Sequence, residues 1–214
     1  MSETTNFIKH MAAEAGQPAE AGYAGAAFDR ILFLGTVGAA ALAVVLIYLV
    51  FAGTFDLTGV LRSYPFHFKF GTMGLLAMGA FLTLRQQGIP GSSPWVALAA
   101  LPGPVVLLLL AIFDHSGFPL LGRDATSVPI CFCAIVGASL PALLILLWVT
   151  RRAAVTRPAA AGASAGLLAG ALGAAAYAIA CKNDGATFVL VWYGLAIGTV
   201  CCLGALIGQR YLRW

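Results

Sequence analysis

The chain has 214 residues, of which 61% are hydrophobic and only 9% charged, and its formal net charge is +4. Water-soluble domains average about 25% charged residues and could not hide this much apolar surface in one core, so the composition excludes a soluble globular protein and predicts an all-α, polytopic membrane protein. Five cysteines with no CxxC pair and no Cys/His ladder exclude a dense disulfide scaffold and a zinc finger.

Residues 1–30 are polar enough to stand outside the bilayer. Within them, TTNFIKHMAAEA predicts a short helix capped by Thr4 or Thr5, with Phe7, Ile8, Met11, Ala12 and Ala15 on one face. A helix this short is marginal in water and needs lipid or a protein partner to fold on. Gly16, Gln17 and Pro18 are expected to stop it, and AEAGYAGAA to follow as a loose linker. The first apolar run comes after this tail and exceeds a usual h-region, so no cleavable leader is expected.

Six transmembrane helices are predicted, at 31–51, 68–84, 94–113, 129–149, 159–180 and 188–207. Pro102, Pro104 and Pro141 should bend their helices, as bundle interiors tolerate. An even number of spans puts both termini on one side. That side carries Lys9, Arg30, Arg85, Arg151, Arg152, Arg157, Arg210 and Arg213, and the other only Arg62, Lys69, Arg123 and Lys182. The asymmetry predicts cytoplasmic termini. The expected organisation is a cytoplasmic tail (1–30), a six-span domain (31–208) and a cytoplasmic end (209–214).

Gly162, Gly166 and Gly170 recur at i+4 along the fifth span, and Gly194 and Gly198 along the sixth. Small residues at this spacing permit close backbone approach, and the fifth-span groove is expected to let that helix pack on the fourth. Chemistry-bearing residues are few. No carboxylate lies inside a span; Asp56, Asp114, Asp124 and Asp184 are expected as solvated loop groups, and Lys69 as a side chain that snorkels outward. Catalytic residues, a metal site and a cofactor site are not expected.

Cysteines are the exception. Thr156, midway between Cys131 and Cys181, lies in the basic turn joining spans four and five, so a helical hairpin returns both thiols to similar depth away from the arginines. Cys133, two residues on, points away from Cys131. Cys201 and Cys202 suit apolar packing. For Cys131 and Cys181 three readings stand: unrelated buried thiols, a disulfide in an oxidising compartment, or soft-metal capture. Lys182 is the expected charged neighbour of Cys181.

From Cys131 to Trp214 the chain resembles the NrsF-type family of bacterial membrane anti-sigma factors. The residues that carry this are Cys131, the connection from Arg151 to Pro158, the helix ending YAIAC at Cys181, and VWYGLAIG followed by GALIGQRYLRW. Weaker similarity runs upstream through FHFKFGTMGLLAMGAFLTLRQQG and FIKHMAAEAGQP. The resemblance implies a six-span inner-membrane protein, not an enzyme, whose cytoplasmic tail holds an extracytoplasmic-function sigma factor without touching nucleic acid itself. It implies that Cys131 and Cys181 sense heavy-metal or oxidative stress at the periplasmic side. Phe7, Ile8 and Met11 would then anchor the tail helix in a groove of the sigma factor. Family members often carry histidine before the second cysteine, where this chain has Ala180, which favours thiol redox over a Cys/His metal site. A membrane thiol oxidoreductase or small transporter is the alternative, and no oligomeric state is implied.

Overall fold

A computed structural model describes residues 5–8, 18–53, 57–88, 94–124, 126–153 and 155–213, all helical or in connecting turns, with no strand among them. Residues 5–8 form one helical turn. Seven α-helices follow: α1 (Pro18–Phe51), α2 (Leu57–Arg62), α3 (Tyr64–Gln87), α4 (Pro102–Ile112), α5 (Ser127–Thr150), α6 (Pro158–Tyr177) and α7 (Ala186–Tyr211). A 3-10 helix, Pro94–Ala100, precedes α4.

Four of these are long and apolar enough to cross a membrane: α1 over Ala26–Phe51, α5, α6 and α7. Helix α3 has the length, 24 residues or about 36 Å at 1.5 Å rise, but His67, Lys69, Arg85, Gln86 and Gln87 dilute its hydropathy. The third expected span is divided. Pro102 and Pro104 have no amide hydrogen to give, so the chain runs as the 3-10 helix Pro94–Ala100 and then as the 11-residue α4.

The loose linker expected after Pro18 is instead helix. AEAGYAGAA is the opening of α1, with Pro18 at its N-terminal edge, where a missing amide costs nothing. Alanine's high helix propensity outweighs the two glycines. The backbone therefore passes the expected tail boundary at residue 30 without a break.

Helix α6 is the central post, with 72% of its apolar window buried against 22% for α1. Its glycines serve a neighbour other than the expected one. A Cβ on Gly162 would meet the carbonyl oxygen of Gly204, and one on Gly166 that of Val200, so the groove receives α7 rather than α5. On α7 the matching glycines are Gly204 and Gly208; Gly194 and Gly198, expected to repeat the groove, face open space. Helix α5 meets α6 through Gly173, whose missing Cβ leaves room for Ser139 Oγ.

The bundle has two buried clusters. One, at the thiol end, gathers Ile47, Met73, Ile135, Tyr177, Phe188 and Tyr193. The other, at the arginine end, gathers Leu32, Leu84, Leu143, Leu146, Leu147 and Leu168. Arg151 and Arg152 stay exposed there, lying over the rings of Tyr211 and Trp148 at 4.7 and 3.9 Å.

Candidate functional site: a thiol pair beside a buried lysine

Each thiol reaches the site because a helix begins or ends beside it. Cys131 is in the second turn of α5, fully buried, while Cys133 faces outward as its spacing requires. Helix α6 ends at Tyr177, and a tight turn, with the amide of Cys181 donating to the Tyr177 carbonyl at 3.0 Å, brings Cys181 back over the end of its own helix. The two thiols lie close enough to act on each other, and the Cys181 thiol donates to the Asn183 carbonyl oxygen at 3.7 Å. Both are free thiols in this structure.

Around them the polar groups are few. Lys69, in the second turn of α3, is 1% exposed and does not snorkel to water. Its ammonium donates to the main-chain oxygen of Cys181 at 3.2 Å and to Asp184 Oδ1 at 2.9 Å. Asp184 keeps the solvent exposure expected of a loop group, at 39%, but is also ion-paired, to Lys69 and at 3.9 Å to Arg123, because a buried ammonium requires a counter-charge. Removing Asp184 would leave the buried Lys69 ammonium with the Cys181 carbonyl alone, an uncompensated charge.

Tyr193 is fully buried. Its hydroxyl lies against Cys181 and makes no well-formed hydrogen bond to nitrogen or oxygen. Val189–Tyr193 is a π-helical turn, a local widening often found where a side chain must be re-aimed. The rings of Tyr177 and Phe51 continue the wall, with Tyr177 6.1 Å from Tyr193 and 5.7 Å from Phe51.

Two loops are laced to each other and to α7 over this end. Asp114 Oδ2 accepts from the amides of Ala186 and Thr187 at 2.6 and 3.3 Å, capping the start of α7 from a distant loop. Burial is slight there, and the hydrogen bond from Ser116 holds the Asp114 carboxyl below its ordinary value. Asn183 Oδ1 accepts from the amide of Arg123, and Trp192 Nε1 donates to Leu120 O at 2.8 Å. Gly122 makes the intervening turn with φ of +84°, which side chains disfavour, packed where a Cβ would strike Ser127.

A cavity of about 440 Å³ opens beside the pair, lined by Lys69, Arg123, Cys181, Lys182, Asp184 and Phe66 among others. Cys181 sits outside the helical spans. The hydrogen bond from Cys131, then the Lys69 ammonium, the Tyr193 hydroxyl and the Asn183 backbone, hold its thiol below the ordinary cysteine value against the opposing effect of burial. The cation acting on it is therefore Lys69, 112 residues away in sequence, and not the adjacent Lys182. Two touching thiols, one of them acidified, suit oxidation to a disulfide. Among the described residues no three of His, Cys, Asp and Glu stand close enough together to hold a metal ion.

The other cysteines are apart. Cys201 donates to Ala163 O at 3.4 Å within the α6–α7 contact, and Cys202 is exposed. Of the expected partner-binding residues, Phe7 and Ile8 are 64% and 61% exposed, and Met11 lies outside the described residues. Sequence reasoning missed Lys69, Asp184 and Tyr193 as members of the site. A lysine just inside an apolar helix was the one signal available.

A helical bundle with four helices apolar and long enough to cross a membrane, and a shielded thiol pair at one end, defines the class as a helical membrane protein. The chain belongs to the NrsF family, described as negative regulators of sigma F, whose profile matches residues 19–214. It is 31% identical over 222 residues to a probable anti-sigma-F factor NrsF of Azospira oryzae, covering 99% of this chain and 100% of that one. It is also 31% identical over 221 residues to the anti-sigma-F factor NrsF of Caulobacter vibrioides, covering 99% of each. No solved structure matches.

Proposed function

We propose that this chain is an anti-sigma factor of the bacterial inner membrane that holds an extracytoplasmic-function sigma factor on its cytoplasmic tail and releases it when the thiol pair is modified. The approach of Cys131 to Cys181 is the observation that carries the reading, because two thiols 50 positions apart in sequence come together in one buried cluster, beside a buried lysine and a cavity that Cys181 lines. Membership of a family of sigma-F regulators supports the partner class. Six spans, with α3 and the 94–112 region completing the four apolar helices, leave the thiol end periplasmic and the arginine end cytoplasmic, as the charge asymmetry favours.

Stress chemistry acts on the pair in one of two ways. A two-electron oxidant removes two electrons and two protons as the sulfurs join, or a soft heavy-metal ion displaces the protons and binds both thiolates. Either changes the packing of α5 against α6 and shifts the population that retains the sigma factor. In the tail, the exposed Phe7 and Ile8, with Met11 three positions on in sequence, supply apolar side chains for a groove on that partner.

The test is removal of the tail. Deleting residues 1–17 should leave insertion intact, since every apolar helix and all the arginines remain and only Lys9 of the cytoplasmic-side cations is lost, and should turn on the sigma-dependent promoter without stress. Replacing Phe7, Ile8 and Met11 together by Ser should do nearly the same. Full repression by the truncated protein would sink the tail-binding reading and move attention to the loop at residues 151–157.

A further inference from the structure

We propose that helix α3 is the element that couples the thiol pair to the base of the tail, with Lys69 as its positioning residue at one end and Arg85 at the other. The inference rests on reading Cys131 and Cys181 as sensor groups and adds the route by which their state is carried.

At the thiol end, Lys69 does more than stand near the pair. Its ammonium holds the main-chain oxygen of Cys181 itself, together with Asp184 of the same loop. Movement of Cys181 toward Cys131 on bond formation must therefore draw Lys69 along or break the contact, and each outcome is a discrete change at the end of α3.

The arginine end is tied to α1. Arg85 gives Nε and a terminal guanidinium nitrogen to the two carboxylate oxygens of Asp29, the first at 2.7 Å, in a two-pronged pair. One turn on, Gly88 lies so close to Phe28 that a Cβ would collide with its ring. Residues 28 and 29 sit near the start of the apolar part of α1, on the helix that continues outward to Pro18. Beyond Pro18 is the tail.

Between these ends α3 is one unbroken helix. Lys69 and Arg85 are about 24 Å apart along it. One side of it packs against the alanine- and glycine-rich α6, which offers few large side chains to lock it in register, with Gln87 giving Nε2 to Ser164 Oγ at 2.9 Å; on another side Leu76 and Gly79 fit closely against Gly103 and Ala99, so the 94–112 segment moves with it. A helix on a smooth neighbour, held by a polar clamp at each end, is suited to small sliding of the shear kind. The clamps give it the two discrete arrangements that coupling requires.

The experiment uses the full-length protein in lipid nanodiscs with diamide as the oxidant. The two thiols lose two electrons and two protons to the N=N bond of diamide, which becomes a hydrazine, and a disulfide forms. Hydrogen–deuterium exchange is then read at residues 181–187 and 28–32. In the wild type, oxidation should change exchange at both segments. Lys69→Met and Arg85→Ala should each leave the disulfide forming but reduce the response at 28–32 by about fivefold or more, the lower bound of a typical coupling. The charge swap Asp29→Arg with Arg85→Asp should restore it. Arg85 is 44% exposed, so its variants keep the test valid should Lys69→Met fold poorly. A response at 28–32 that survives both single variants, or a wild type that responds only at 181–187, overturns the coupling role of α3 alone. A response that persists in Cys131→Ser with Cys181→Ser, or a wild type that responds at neither segment, overturns the sensor reading and the coupling with it.

Discussion

At the scale of single residues, the site is defined by a charge in the protein interior, the Lys69 ammonium at 1% exposure. Lys69 lowers the thiol of Cys181, second only to the hydrogen bond from Cys131 among the effects that do so. Lys69→Met should therefore move the midpoint of the pH profile for Cys181 alkylation upward, whereas Lys182→Met should leave it in place. A membrane-impermeant maleimide, with rates taken across a pH series, measures this; equal shifts for both variants would return the role to the neighbouring lysine. Cys131→Ser and Cys181→Ser should each disturb stress-dependent promoter control, and Cys201→Ser and Cys202→Ser should not. A reporter assay under inducing and non-inducing conditions decides it. The similar depth of Cys131 and Cys181 was legible because a hairpin folded about Thr156 returns both to one end, but spacing left open whether they would meet. The meeting of Lys69 with Asp184 was not legible, since a contact across 115 residues depends on which helices are neighbours.

At the scale of elements, glycines show how far a helical pattern can be read. The i+4 spacing of Gly162, Gly166 and Gly170 says that one face of α6 is smooth, and the structure agrees. Spacing alone does not name the helix that uses the face, and α7 rather than α5 fills it. For the same reason Gly194 and Gly198 looked like a second groove, yet their faces meet no other helix. Two substitutions of identical chemistry should therefore differ in sign. Gly166→Ala presses a methyl group against the Val200 carbonyl and, at 2.8 Å, the Cys201 Cα, so it should destabilise by about 1–3 kcal/mol through overpacking. Gly198→Ala meets nothing and should stabilise by up to about 1 kcal/mol from helix propensity. Thermal unfolding in detergent compares them, and parallel shifts would contradict the assigned contacts. Helix α1 is a further case: Gly16, Gln17 and Pro18 signalled a stop, but Pro18 is also where a helix can start, and alanine extends it.

At the scale of the whole molecule, the all-helical membrane class followed from composition alone, because so few charges leave no other fold for so much apolar surface. Its span count was less legible, since α3 and the 94–112 segment are polar or proline-broken at the lengths that matter. Reporter fusions after Pro18, within residues 151–157 and after Trp214 should report cytoplasm, and fusions within residues 114–124 or 183–187 should report periplasm. A cytoplasmic signal from 183–187 would put Cys181 on the reducing side and remove the basis for an oxidative switch.

The length of α1 carries a mechanical consequence. Its apolar part begins at Ala26, and the helix continues outward to Pro18. Pro18 thus stands about 16 Å along the axis from the Asp29 clamp. That segment is a lever arm with its fulcrum at the ion pair. A tilt of about 10° at the fulcrum sweeps Pro18 sideways by roughly 3 Å, as far as the reach of a hydrogen bond. A displacement too small to alter the bundle is enlarged where the tail begins, so, under the proposed function, the grip on a sigma factor would be loosened while every helix keeps its place.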